Sequence, residues 1–283
     1  GRMFGREIPQ VTLAHQYLVS EAVPELTARD KQLPLLRDPD SSYYLRQEKD
    51  GLLLGPYELN CKAHWLDASD PMPEDFSFQL YPDDLERLEA YIDDACARVP
   101  LLGRSGITRV VNGPIPYTPD GNPLIGPMPG VPNAFEACVF TFGIVQSGGA
   151  GKVLAEWITD GAPEWDMWSC DPRRFTGYAD QAYANAKGIE IYGHEYAMAF
   201  PHYEWPDGRN KRMSPLYEKW QSLGAQFTAT AGWERVAWVA DDDDNPALDD
   251  METFEREGPW FNAVKRECEA VRDAAGILEL PGF

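Results

Sequence analysis

The stretch that decides the fold is TFGIVQSGGAGKVLAEWI, residues 141–158. An apolar run with strand character, residues 135–142, leads into it. It carries Gly143, Gly148, Gly149 and Gly151, and then Val153, Leu154, Trp157 and Ile158 recur at helical spacing until Gly161 and Pro163 end the pattern. The pattern predicts a strand, a glycine-rich turn and a helix N-terminus. Backbone N–H groups and the positive end of a helix dipole can face an anion or an electron-rich ring in such a place. Glycine keeps that approach to the backbone open. Turns of this kind also arise for packing alone, so the neighbouring sequence has to decide between the two.

Directly upstream lies NGPIPYTPDGNPLIGPMPG, residues 112–130, after a short predicted strand at 107–111. The segment is rich in proline and glycine yet holds Ile115, Tyr117, Leu124 and Ile125. It is too broken for regular structure and too apolar for a loose linker. A rigid loop crossing the interior, stiffened by proline, accounts for both properties. Further upstream, residues 82–99 read as a scaffold helix with Pro82 in its first turn and a stripe of Leu85, Leu88, Tyr91, Ile92, Ala95 and Val99. Lys49-Asp50-Gly51 between residues 42–48 and 52–54 is a hairpin signal.

Two early strands carry the polar residues of interest. In residues 11–19 the alternation puts Val11, Leu13, His15, Tyr17 and Val19 on one face. His15 is then either a hydrogen-bonded core histidine or a pocket residue. On the hairpin's first strand Tyr44, Arg46 and Glu48 share a face. A tyrosine beside an arginine can hold a small carboxylate through the arginine's forked donors. The same face is equally consistent with a solvated surface on which Arg46 pairs with Glu48.

Downstream the texture changes. Helices are predicted from 178 to about 187, from Ser214-Pro215 to Gly224, and from 260 to 275 with Gly276 as its cap. GWERVAW, residues 232–238, precedes an acidic loop that includes residues 241–244. With 283 residues, 43% of them hydrophobic, the chain is long enough for two or three units. Its 46 acidic against 25 basic residues, net charge −21, argue against nucleic acid or anionic membrane as a partner. No apolar run is long enough to span a membrane. The five cysteines form no CxxC pair and fit free thiols, and the four histidines show no metal-ligand spacing, so no metal site is expected.

Several stretches together resemble one family: LAHQYLVSE (13–21), LRDPDSSYYLRQEKDGLLLGPYE (36–58), NGPIPYTPDGNPLIGP (112–127) and SGGAGKVLAEW (147–157), followed by DPRRF (171–175), GRNKRMSPLY (208–217) and GWERVAW. In this order they are similar to the dimethylglycine dehydrogenase and sarcosine dehydrogenase family. The resemblance implies an α+β fold. Residues 1–165 would be the later part of a D-amino-acid-oxidase-like FAD domain with a mixed or antiparallel substrate sheet. Residues 166–224 would form a small central α/β module, and 225–283 the beginning of an aminomethyltransferase-like folate domain. FAD is the implied cofactor, with tetrahydrofolate in the complete protein. The substrate would be an N-methylated amino acid, dimethylglycine or sarcosine. Electrons would pass to an electron-transfer flavoprotein or to oxygen, in the cytoplasm of a bacterium or the mitochondrial matrix of a eukaryote.

By position the resemblance suggests His15 and Tyr44 as catalytic residues and Arg46 for the substrate carboxylate. Thr118, Pro119, Asp120 and Pro123, with Gly143, Ile144, Gly148, Gly149 and Gly151, would line the flavin. The apolar setting of His15 would favour a neutral imidazole, able to accept an amine proton. The GxGxxG turn that grips the FAD pyrophosphate is not in the sequence, nor is most of the folate domain. The expectation is therefore an internal fragment or one half of a split enzyme, active only when completed. A non-catalytic subunit and a folate-dependent aminomethyltransferase are the alternative readings.

Overall fold

A computed structural model describes residues 1–244, 246 and 253–281 of the chain. The elements in order are β1 (Val11–Ser20), α1 (Pro24–Thr27), β2 (Leu36–Asp38), β3 (Tyr43–Glu48), β4 (Gly51–Pro56), β5 (Lys62–His64), α2 (Glu89–Arg98), β6 (Ile107–Tyr117), β7 (Leu124–Pro127), β8 (Phe135–Cys138) and α3 (Gly143–Thr159). They continue with α4 (Gln181–Gly193), α5 (Tyr217–Ser222), β9 (Ala225–Thr230), β10 (Trp233–Val239) and α6 (Phe261–Asp273). The fold is α+β.

Gly1–Thr176 with Asp180–Met198 form one unit, and Gly177–Ala179 with Ala199–Phe283 the other. α4, expected within the 166–224 stretch, thus belongs with the first sheet. Two structural units and three sequence stretches are different divisions of the chain.

The first unit is built on a six-stranded antiparallel sheet in the order β2-β3-β4-β1-β5, with β6 also paired to β1. The hairpin forms as its turn residues predict, with Glu48 opposite Gly51 and Tyr43 opposite Pro56. β1 is central, and both its faces are covered. Leu18 packs with Tyr43, Leu45, Leu52, Leu54 and Leu88 in one cluster, while Val11 and Leu13 pack with Tyr57, Tyr117 and Tyr192 in another. α2 lies against the first cluster through Ala95 and Ile92. It starts later than expected: Leu85–Leu88 is a 3-10 turn, and Leu85 is exposed. α4 covers the second cluster. Its Gly188 comes so close to β1 that an added Cβ would lie 2.4 Å from Val11 Cγ1.

Two expectations near the opening stretch need correction. Residues 112–117 are not irregular loop but the second half of β6, paired with β1 from Tyr117 opposite Val11 to Asn112 opposite Gln16. Pro114 and Pro116 fit because they alternate along an outer strand. The carbonyls of Asn112 and Pro116 accept from Tyr81 N (2.8 Å) and Thr141 Oγ1 (2.7 Å), so the even positions point away from β1. The missing proline N–H groups therefore fall on the open side of the ladder.

The second correction concerns the glycines. The strand ends at Cys138, and Gly143, Ile144, Gly148, Gly149 and Gly151 lie inside α3, not in a loop before it. Helical glycine costs roughly 1 kcal/mol against alanine. The cost is met by the other face, where Ala150 and Val153 are buried against Ile125, with Leu154 and Trp157 beside them.

In the second unit β9 and β10 form an antiparallel hairpin. Arg209 grips the buried Glu234 at 3.0 Å and 2.6 Å, and Asn210 N donates to the same carboxylate at 2.7 Å. Arg212 lies over the rings of Tyr178 and Trp233. These contacts account for the Arg209, Asn210 and Arg212 positions of the GRNKRMSPLY stretch. Ser214 Oγ accepts from Leu216 N at 3.1 Å, but the helix itself begins only at Tyr217.

Candidate functional site

The face of β1 that carries His15 meets the C-terminal half of α4. Between the pairing of β1 with β5 at Thr12–Ala14 and with β4 at Leu18–Val19 lie His15, Gln16 and Tyr17. The His15 ring is half-buried and packs on Tyr57, with centroids 4.6 Å apart, and edge-on to Tyr192 at 5.8 Å. Its Nδ1 is 3.0 Å from the Tyr192 hydroxyl. Burial first and the Arg87 charge second push its pKa from 6.5 to about 4, so the imidazole is neutral at physiological pH.

Around this pair the fold assembles a tyrosine cluster that no local sequence pattern shows. Tyr57 also contacts Tyr196 at 4.7 Å, and Tyr117 meets Tyr192 edge-on at 5.6 Å. Tyr44 joins through Tyr196, edge-on at 5.9 Å, and burial pushes its phenol up to about 12. Tyr44 therefore stays protonated and can donate. Its ring occupies the space opposite Gly55, its partner in the β3–β4 register. A Cβ at that glycine would lie 2.3 Å from the Tyr44 Cζ.

The arginine on the same strand behaves as the solvated alternative described. Arg46 Nη1 lies 2.6 Å from Glu48 Oε2, and its side chain is 41% exposed. A second arginine touches the ring cluster. Arg37, opposite Tyr44 in the β2–β3 register, has its guanidinium 4.1 Å from the Tyr196 centroid. The sequence offered no reason to single it out, because β2 is only three residues long.

Behind Tyr192 the cluster ends in charge. The Tyr192 hydroxyl donates to Glu58 Oε2, and Glu58 Oε1 lies 3.2 Å from Arg87 Nη1. Glu58 is fully buried and the Arg87 side chain is 12% exposed. On the far side Tyr117 donates to Glu195 Oε2 at 3.2 Å. Burial raises the pKa of both glutamates.

The residues expected to line a flavin fall into two groups. Thr118, Asp120 and Asn122 form a closed turn in which Thr118 Oγ1 donates to Asn122 O at 2.7 Å and Gly121 takes a positive φ of 73°. Arg174 locks it. Its guanidinium donates to Asp120 at 2.8 Å and 2.9 Å, to Asn122 O at 2.8 Å and to Pro123 O at 3.2 Å, and its side chain is only 2% exposed. That accounts for the second arginine of DPRRF, to which the sequence reading gave no role. Pro119 lies in the same turn.

The second group is the open side of α3. Ile144 is 94% exposed, and a Cβ built at Gly148, Gly149 or Gly151 would meet nothing within 4 Å. The N–H groups at the start of α3 have no intrahelical acceptor. Thr141, through its bond to Pro116 O, ties this helix start to the end of β6, one residue before Thr118. The helix N-terminus and the uncovered glycine positions of α3 leave the backbone open to approach, as a ring system with a polar tail requires.

Among the described residues no cluster of three or more His, Cys, Asp or Glu could hold a metal ion, and no helix is long and apolar enough to cross a membrane.

Comparison with known proteins bears on this arrangement. A family model described as FAD dependent oxidoreductase matches residues 1–157, and one described as FAD dependent oxidoreductase central domain matches 160–214. Rat mitochondrial dimethylglycine dehydrogenase is 37% identical over 290 residues, covering all of this chain and 33% of that protein. Mouse mitochondrial sarcosine dehydrogenase is 34% identical and is covered to 32% by the whole chain. The 4-methylaminobutanoate oxidase (formaldehyde-forming) of Paenarthrobacter nicotinovorans is 31% identical, with 99% of this chain and 33% of that protein covered. The chain thus spans about a third of the length of these relatives.

Proposed function

Because the chain belongs to the FAD dependent oxidoreductase family, whose model it matches over residues 1–157, we propose that it forms the substrate-side part of a flavoenzyme that oxidatively demethylates N-methylated glycines. The observation that carries the reading is His15: a neutral imidazole held among tyrosines on the central strand. Such a group can take the proton of a substrate amine and keep the nitrogen lone pair free. The names of the three relatives, all acting on N-methyl amino acids or an N-methylamino acid homologue, support this substrate class.

FAD, when bound, supplies the two-electron acceptor for the N-methyl carbon. The open face of α3 with Gly143, Ile144, Gly148, Gly149 and Gly151 would hold it, together with the turn of Thr118, Pro119, Asp120 and Pro123. Arg174 keeps that turn in one shape. Tyr44 donates a hydrogen bond to the substrate. Arg46 and Arg37 are the two candidates for its carboxylate; Arg37 already lies over the Tyr196 ring, whereas Arg46 would have to leave Glu48.

In the complete protein the one-carbon product passes to tetrahydrofolate, and residues 225–283 begin the domain that captures it. Electrons leave to an electron-transfer flavoprotein or to oxygen. Two of the relatives are mitochondrial enzymes, which supports the mitochondrial matrix for a eukaryotic chain.

The test is His15→Ala in the complete flavoprotein with dimethylglycine and sarcosine as substrates. Loss of a proton acceptor lowers kcat/KM about 10²-fold or more. Unchanged kinetics would remove His15 from the mechanism and, with it, the reading of this face as the active site.

A further inference from the structure

His15 Nδ1 is 3.0 Å from the Tyr192 hydroxyl, which itself donates to Glu58 Oε2, and Glu58 sits beside Arg87 with no exposure to solvent. A phenol has one proton. When it is given to the Glu58 carboxylate, the phenol oxygen can only accept from His15, so the imidazole carries its proton on Nδ1 and presents Nε2 as the free base. We propose that Tyr192 and Glu58 are positioning residues that hold His15 in this tautomer and relay the proton it accepts into the protein.

The relay balances. A substrate ammonium proton binds Nε2, the Nδ1 proton moves to the Tyr192 oxygen, and the Tyr192 proton moves to Glu58. One positive charge and one negative charge become a neutral amine and a neutral carboxyl, and His15 ends as the Nε2–H tautomer. Burial gives the two ends the required tendencies. It lowers His15 to about 4, so imidazolium does not persist, and it raises Glu58 despite the opposing pull of Tyr192 and Arg87. Arg87 also lies near His15 and opposes a positive charge there. The other titratable groups around the chain include Asp84, paired with Arg87 at 2.9 Å, Tyr57 and Cys61 after β4, Tyr91 in α2, Tyr117 at the end of β6 and Glu195 after α4.

The inference rests on the functional reading of His15, but its test does not need turnover. Histidine is labelled with nitrogen-15 in this chain without cofactor, and the His15 signals are identified among the four histidines by their loss in His15→Gln. At neutral pH the expected state is Nδ1–H. In Glu58→Gln the introduced amide turns its oxygen to Arg87 and its NH2 to Tyr192; the phenol then donates to Nδ1, and the protonated and unprotonated ring-nitrogen signals exchange places. In a Tyr192→Phe background the Glu58→Gln substitution no longer changes the tautomer.

Nε2–H in the wild type, or the same tautomer in wild type and Glu58→Gln, overturns the proposal. So does a Glu58→Gln response that survives Tyr192→Phe. Circular dichroism and the other three histidine signals report folding. If Glu58→Gln does not fold, Tyr192→Phe decides alone: it must release His15 from the pure Nδ1–H state, and a retained Nδ1–H refutes the link. Wild-type kinetics in His15→Ala would end the functional reading while leaving these spectra to judge the relay separately.

Discussion

Acidification offers the sharpest check on the environment of His15. Its imidazole ordinarily titrates at 6.5 and is lowered to about 4 in the fold, first by burial and then by Arg87. Between these two values the unfolded chain binds a proton at this position that the native state refuses, so stability rises with pH through that window and falls on acidification. At one pKa unit per 1.36 kcal/mol the effect reaches at most about 3 kcal/mol by pH 4. Partial exposure of the ring reduces it to roughly half of that through solvent screening. Glu58 works in the opposite direction, because a raised carboxyl binds its proton more readily in the native state. Comparison with His15→Gln removes that contribution. Urea unfolding from pH 7 to pH 4 should show wild type losing about 1.5 kcal/mol more than the variant. The His15 ring signals in an NMR titration should move with a midpoint near 4. A midpoint near 6.5 would mean that the ring is neither desolvated nor facing Arg87, and the argument for a neutral base would fail with it.

Other consequences are equally direct. Arg174→Met removes the guanidinium that bonds Asp120 and the carbonyls of Asn122, Pro123 and Asp171, which should cost about 3 kcal/mol in denaturant titration; an effect below the error of the method would show that the 118–123 turn holds itself. Gly55→Ala places a methyl group against the Tyr44 ring, so the ring must swing away. The fold should survive at a cost of about 1–3 kcal/mol while kcat/KM drops to the level of Tyr44→Phe, and normal kinetics would dissociate Tyr44 from the reaction. In the second unit Glu234→Gln removes the buried charge opposite Arg209 and should destabilise it by about 2–4 kcal/mol, seen as an earlier transition in thermal unfolding.

The parts of this architecture governed by neighbours in sequence were legible in advance. Lys49-Asp50-Gly51 announced the hairpin, the alternation of Val11, Leu13 and His15 announced the central strand, and the stripe on residues 82–99 announced α2 but not its late start at Glu89. The glycine-rich stretch was legible as a strand-to-helix junction but not in extent. A glycine is penalised in any local estimate of helix, and only the packing of Ala150 and Val153 on Ile125 repays it. The prolines of β6 misled for a similar reason: whether proline breaks a strand depends on which way its N–H would point, and that is fixed by the partner strand. The candidate site was legible in its two poles, His15 and Tyr44, and illegible between them. Tyr192 reaches Glu58 across 134 residues of sequence, and Arg174 reaches Asp120 across 54. Such contacts leave no periodicity to find.

The outer edge of β6 has a further consequence. A strand with one side of its ladder unpaired is a template on which another chain can grow. Here the template is interrupted between residues 112 and 116: Pro114 and Pro116 have no donor to offer, and the outward carbonyls of Asn112 and Pro116 are already taken by Tyr81 and Thr141. Over residues 112–116 an incoming strand would find two donors missing and two acceptors already occupied. The prolines that make the segment look irregular thus shorten the stretch of rim on which a copy of the chain could extend the sheet.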